Sequence, residues 1–169
     1  LQYFNVSDSY ICPRTSEHRK LLPTNIQAFK SEFRPNNKLK EPLVNVCLWA
    51  LTAKTHEEAK YLFSSRAAWK IGRNFGHLGP ITDPDNALNI IHDNKWKEQY
   101  ELMFSDAIVG EVDFTKNKIK ELVKKNDIDE IAILSWCHSE TSRVKSYELF
   151  AEAFSLNSSQ HRQKNLSLN

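Results

Sequence analysis

The segment from Asp127 to Phe154 constrains the fold more than any other. It reads Asp-Ile-Asp-Glu-Ile-Ala-Ile-Leu-Ser-Trp-Cys-His-Ser, then Glu-Thr-Ser-Arg-Val-Lys-Ser-Tyr-Glu-Leu-Phe-Ala-Glu-Ala-Phe. A short apolar run rich in isoleucine predicts a buried strand. A polar turn follows, then an amphipathic helix from about Glu140 to Phe154. In α/β proteins the carboxyl end of such a strand is where ligands and chemistry sit. Ser135, Trp136, Cys137, His138 and Ser139 occupy that end.

A second strand is predicted over Leu43 to Ala53, a nearly continuous apolar run interrupted by Asn45. The simplest role for Asn45 is a hydrogen-bonded interior amide. Before this strand, Pro23 is placed for the first turn of a helix carrying Ile26, Phe29, Lys30 and Phe33. That helix must stop by Arg34, because Pro35 disfavours helical geometry in the residue before it. After the strand, Thr55 and Glu58 form a capping box for a helix that runs to about Ile71 and ends at Gly72. Asp85 or Asn86 caps another helix, and Asn94 separates it from a further one over Lys95 to Phe104. Asp113 caps a helix reaching about Lys125, whose lysines form a solvated face and complement the helix dipole.

Three of the four glycines and two of the six prolines fall between Gly72 and Asp85. A loop of that kind on a rigid scaffold is where a lid or binding segment is found. Arg73 and His77 are its candidate contacts to an anionic ligand. The element order is helix, strand, long helical excursion, helix, strand, helix. Strands separated by helices imply parallel pairing. Two parallel strands cannot form a covered sheet, so further strands or a partner must supply the rest.

The chain has 169 residues, 40% hydrophobic and 26% charged, enough for a real core. A net charge of +2, with Lys and Arg scattered among Asp and Glu, argues against a nucleic-acid partner. No apolar run approaches the ~20 residues of a membrane span, and the first residues do not read as a signal peptide. The Asn-x-Ser sequons at Asn5, Asn157 and Asn165 are therefore chance matches. Cys12, Cys47 and Cys137 are odd in number and widely spaced, which predicts buried thiols in a reduced, cytoplasmic protein and no zinc site. A start at Leu1 reads as an internal piece of a longer protein. Residues 1–22 form an ill-defined segment, 23–154 the domain, and 155–169 a disordered tail.

From about Pro23 to Phe154 the chain resembles the C-terminal part of the bacterial luciferase-like flavin-dependent monooxygenases. The resemblance rests on Phe29-Lys-Ser-Glu-Phe-Arg-Pro35, Pro42-Leu-Val-Asn-Val46 running into Thr55-His-Glu-Glu-Ala59, Ile108-Val-Gly110, Asp129-Glu-Ile-Ala-Ile133, and Arg143-Val-Lys-Ser-Tyr-Glu148. It implies the C-terminal portion of a (β/α)8 TIM barrel, helix-rich and incomplete. Leu43 to Ala53 would be its seventh strand and Glu130 to Trp136 its eighth. The excursion from Gly72 to Asp106 would be an insertion that shields the flavin from water. The implied activity uses reduced FMN and O2 on a small organic substrate, with a flavin reductase as a further partner.

The chain departs from that family in lacking the opening strands and the Gly/Ser-rich phosphate turn, for which Arg14-Thr15-Ser16 is a weak substitute. It has Glu111-Val112 where relatives have a Ser/Thr-Pro helix start, and His138-Ser139 where many have Tyr-Asp. Two readings follow. In the first, Trp136, Ser135, Arg73 and His77 line the cofactor, and His138 transfers protons at neutral pH; the truncated chain is then inactive by itself. In the second, the chain is a non-catalytic binding or assembly module. Its open strand edges drive self-association or capture a barrel-completing partner.

Overall fold

The computed structural model describes residues 10–11, 21–37 and 39–156. Within the segment 1–22 expected to be ill-defined, Tyr10–Ile11 form a strand and Leu22 opens a helix; its other residues up to 20, with the Arg14–Ser16 candidate and Cys12, lie outside the described set, as do the three sequons and all but the first two residues of the tail. The described chain has the order β1 (Tyr10–Ile11), α1 (Leu22–Glu32), β2 (Asn45–Ala53), α2 (His56–Asn74), α3 (Pro84–Asp93), α4 (Lys97–Asp106), β3 (Ile108–Glu111), α5 (Val112–Asn126), β4 (Glu130–Leu134) and α6 (Glu140–Ala153). It is a helix-rich α/β fold, as expected. Beyond the two strands expected, β1 and β3 bring the sheet to four, and β2 is the common partner of the other three.

The chain divides into two compact units, one comprising residues up to Ala50 with Lys118–Leu134, the other Leu51–Asn117 with residues from Ser135 onward. In the first unit, β1 runs parallel to β2 with Tyr10 opposite Asn45. Strand β4 runs parallel to β2 from the pair Asn45 and Glu130 to the pair Trp49 and Leu134. Leu22, Ile26, Val44, Val46, Leu48, Ala50, Ile119 and Ile128 are its buried apolar residues among those described. Asn45 is the interior amide expected: buried, with its NH2 donating to the Glu130 carboxylate. The Val44 amide donates to Asp129 Oδ2 at 2.8 Å, which fixes where β4 begins beside β2. Helix α1 ends at Glu32, two residues before the expected limit, because Phe33 is already extended (ψ 134°).

In the second unit, α2, α3 and α4 pack around Phe63, Ala67, Ile71, Ala87, Ile91 and Tyr100, all buried. Thr55 caps α2 as expected, accepting from the Glu58 amide at 3.1 Å. The return bond of the capping box is displaced by one residue, since the Glu58 carboxylate accepts from Lys54 N rather than from Thr55. Asp83, not Asp85 or Asn86, caps α3. Its carboxyl lies below the usual carboxylate range because the Asn86 backbone and side-chain N–H groups both donate to it. Among the described residues no helix is long and apolar enough to cross a membrane.

Four of the helix ends share one geometry. Helix α2 does not stop at Gly72 but one turn later, where Gly76 takes the left-handed conformation (φ 81°). His77 N then donates to Gly72 O at 2.9 Å and Gly76 N to Arg73 O at 3.2 Å, the paired bonds of a Schellman motif. Helix α3 ends the same way around Lys95 (φ 56°), with Trp96 N donating to Ile91 O at 2.8 Å. Asp127 (φ 51°) and Ser155 (φ 54°) fill the same position after α5 and α6. A non-glycine residue in this conformation carries a Cβ penalty that glycine avoids. Lys95→Gly is therefore expected to stabilise the protein by about 0.5–1 kcal/mol. The check is a higher denaturant midpoint at an unchanged m value.

Candidate functional site

The segment after β4 is built by two local devices. Ser139 caps α6, its Oγ accepting from Ser142 N at 3.2 Å. Ser135 is tied down one turn of chain earlier. It is 2% exposed, its amide donates to the Tyr147 hydroxyl at 2.9 Å, and its Oγ lies 3.2 Å from Ser146 Oγ. With both ends held, the residues between them sort by exposure. Cys137 is buried, its thiol donating to Ser139 O at 3.3 Å. Burial pushes that thiol up, only partly opposed by the Arg143 charge, so it is a poor nucleophile. His138 faces solvent. Trp136 is 37% exposed.

Trp136 meets the edge of Trp69 from α2, with ring centroids 4.8 Å apart at 63°. Arg73, one turn further along α2, places its guanidinium carbon 4.8 Å from the centre of the same Trp69 ring. The structure thus joins Trp136 and Arg73 through a residue that the sequence reading did not single out. The Trp69 indole N–H donates to Gly79 O at 3.0 Å, which ties the glycine- and proline-rich loop to the helix. His77, in that loop, lies edge-on to Trp96 at 5.8 Å, and Phe75 stacks on Trp96 at 5.4 Å. Trp69, Gly72, His77, Pro80, Ile90 and Trp96 line most of a pocket of about 280 Å³.

Five residues were expected at the site. Trp136 and Arg73 share one aromatic neighbour, His77 lines the pocket beside them in sequence, Ser135 is interior, and His138 stands apart on the turn. Trp69 has a sequence signal: it precedes Arg73 by four residues on a helix, the spacing at which side chains meet. Trp96 has none, because its place follows from the turn at Lys95. Among the described residues no three His, Cys, Asp or Glu side chains are grouped to hold a metal. The arrangement offers a partly exposed aromatic surface bordered by a guanidinium, suited to a flat or anionic ligand.

The fold has a counterpart in part of a solved structure. The structure of apo-MsnO8 superposes with a TM-score of 0.71 over 88% of this chain and 51% of its own, at 16% identity. No family model matches the chain. In sequence it is 24% identical over 128 residues to a luciferase-like monooxygenase of Escherichia coli K12, and 25% identical over 129 residues to the uncharacterized protein YvbT of Bacillus subtilis 168. Those matches cover 73% and 76% of this chain, which spans 37% and 38% of the length of the two relatives. Over that stretch the chain resembles a luciferase-like monooxygenase.

Proposed function

We propose that this chain is the C-terminal portion of a luciferase-like monooxygenase, a (β/α)8 enzyme that uses reduced FMN and O2 on a small organic substrate. The observation that carries the reading is a match of 128 residues to a luciferase-like monooxygenase. The fold shared with MsnO8 is compatible with it. Bound reduced FMN would supply the electrons that activate dioxygen. A flavin reductase is the source of the reduced cofactor in this reading.

The residues present fit part of such a cofactor. Trp136, 37% exposed, offers part of its surface to a flat isoalloxazine, and the Arg73 guanidinium offers a counter-charge to an anionic group. Ser135 does not fit a cofactor contact, because its hydroxyl is interior and engaged with Ser146. The pocket of about 280 Å³ is also smaller than the ~300–1,000 Å³ of sites that enclose drug-sized ligands. The chain therefore provides one wall of a flavin site. The exposed His138, with no hydrogen bond or ion pair among the described residues, has no positioned partner for proton transfer, so no catalytic step is assigned to it.

The second reading is a non-catalytic assembly module that associates with itself or with a barrel-completing partner. It is favoured by β4, whose residues are all exposed or half-buried despite an apolar sequence, with Leu134 51% exposed. Titration of the purified chain into FMN, followed by flavin fluorescence, decides between the two. The expected result is a weak, saturable quench that Trp136→Ala reduces several-fold. No quench at high micromolar FMN overturns the flavin reading for this chain and leaves the second.

A further inference from the structure

The pocket between α2, α3 and the loop after α2 has features of a binding site in its own right. Three aromatic rings contribute to its walls, Trp69, Trp96 and His77, the last edge-on to Trp96. Its floor is Gly72, inside a helix, where glycine costs about 1 kcal/mol relative to alanine. A Cβ there would meet His77 Cβ at 3.4 Å and the Trp96 ring at 3.7 Å, ordinary contacts that a helix tolerates. Packing thus does not demand glycine at this position; its missing side chain leaves space beneath the rings. The loop is held over that space by the Trp69 indole bond to Gly79 O.

One polar group at the pocket is oriented. The Asn94 NH2 donates to Ile90 O at 2.8 Å, which leaves its carboxamide oxygen as the acceptor. Asn94 lines the pocket with Thr82. A partly open pocket with aromatic walls and a hydrogen-bond acceptor at one point favours flat ligands over flexible chains, since rings pack edge to face at low entropic cost. A volume of about 280 Å³ admits one or two fused rings and no more.

We propose that this pocket binds a small planar aromatic molecule of one or two rings bearing a single hydroxyl or N–H donor, which Asn94 accepts. The site needs no flavin, so it stands or falls separately from the monooxygenase reading. The probe is 2-naphthol, added to isotope-labelled protein whose four tryptophan indole N–H signals report individually. The expected result is saturable shifts of the Trp69 and Trp96 signals, with those of Trp49 and Trp136 little changed. Ile90→Trp fills the pocket from its exposed rim and should weaken binding about tenfold or more. Gly72→Ala raises the floor on a helix that favours alanine and should weaken it in the same direction while the protein stays folded. Absence of saturable shifts at millimolar 2-naphthol, shifts confined to Trp49 or Trp136, or undiminished affinity in the folded Gly72→Ala protein would each overturn the proposal.

Discussion

Phe63→Ala is expected to destabilise the unit built on α2, α3 and α4 by about 3–5 kcal/mol, the range for deleting a large aromatic from a core. Phe63 is wholly buried in the middle of α2. Its ring stacks on Tyr100 at 5.9 Å and leans on Phe104 at 5.8 Å, both from α4. Neither neighbour is free to collapse into the space left behind. The Tyr100 hydroxyl donates to Lys60 O at 2.8 Å, which holds that ring from its far end. The same burial raises the Tyr100 phenol well above its ordinary value, so the hydroxyl remains a donor at any pH the fold survives. Phe104 is held edge-on by His56 at 5.2 Å. The cavity would therefore persist and carry its full penalty. Loss of about a third or more of a typical stability is large enough to read directly. The measurement is the shift in urea midpoint, with amide exchange as the local check. Protection in α2 and α4 should fall. An effect under 1 kcal/mol would show that this unit repacks.

What the sequence made legible, and what it did not, follows from the range of the forces involved. Strand β2 declares itself because it is buried on both faces and its residues are nearly all apolar. Thr55 and Ser139 mark helix starts because a cap is a contact over three residues. Strand β3 hides: it has four residues, one of them glycine, and ends on an exposed glutamate. The end of α1 is announced by Pro35, but a left-handed helix end is legible only where glycine supplies it. With four glycines in the chain, Lys95, Asp127 and Ser155 take that conformation instead, and Gly72 misleads by sitting inside α2. At the site, exposure and position picked out Trp136, Arg73 and His77. Their common neighbours, Trp69 and Trp96, escaped because ring-to-ring contact is tertiary and leaves no local pattern. Ser135 looked like a rim residue for its place after β4. Its burial depends on residues of α6 that the strand does not reveal.

That burial sets up the second large effect. Ser146→Ala is expected to cost about 2–3 kcal/mol, although it removes a single oxygen. Ser146 is fully buried on α6, and its Oγ accepts from the Thr52 backbone amide at 3.0 Å while lying 3.2 Å from Ser135 Oγ. Thr52 in turn donates its hydroxyl to Gly110 O at 3.1 Å. One hydroxyl thus links the end of β2 and the residue after β4 to a single helix, and Thr52 carries the link to β3. Alanine would strand the Thr52 amide where water does not reach, at a desolvation penalty of about 1–3 kcal/mol, and would also remove a partner of Ser135. Tyr147→Phe makes the useful contrast. It deletes the acceptor of the Ser135 amide, but Tyr147 is 37% exposed, so water can replace its hydroxyl and the cost should stay below about 1 kcal/mol. Both residues lie in the Arg143–Glu148 stretch that carried part of the family resemblance. A larger loss for Ser146→Ala than for Tyr147→Phe in denaturant melts would assign that part of the motif to holding the strand ends in place. The reverse order would mean that the tyrosine, through its bond to the Ser135 amide, is the residue on which the turn depends.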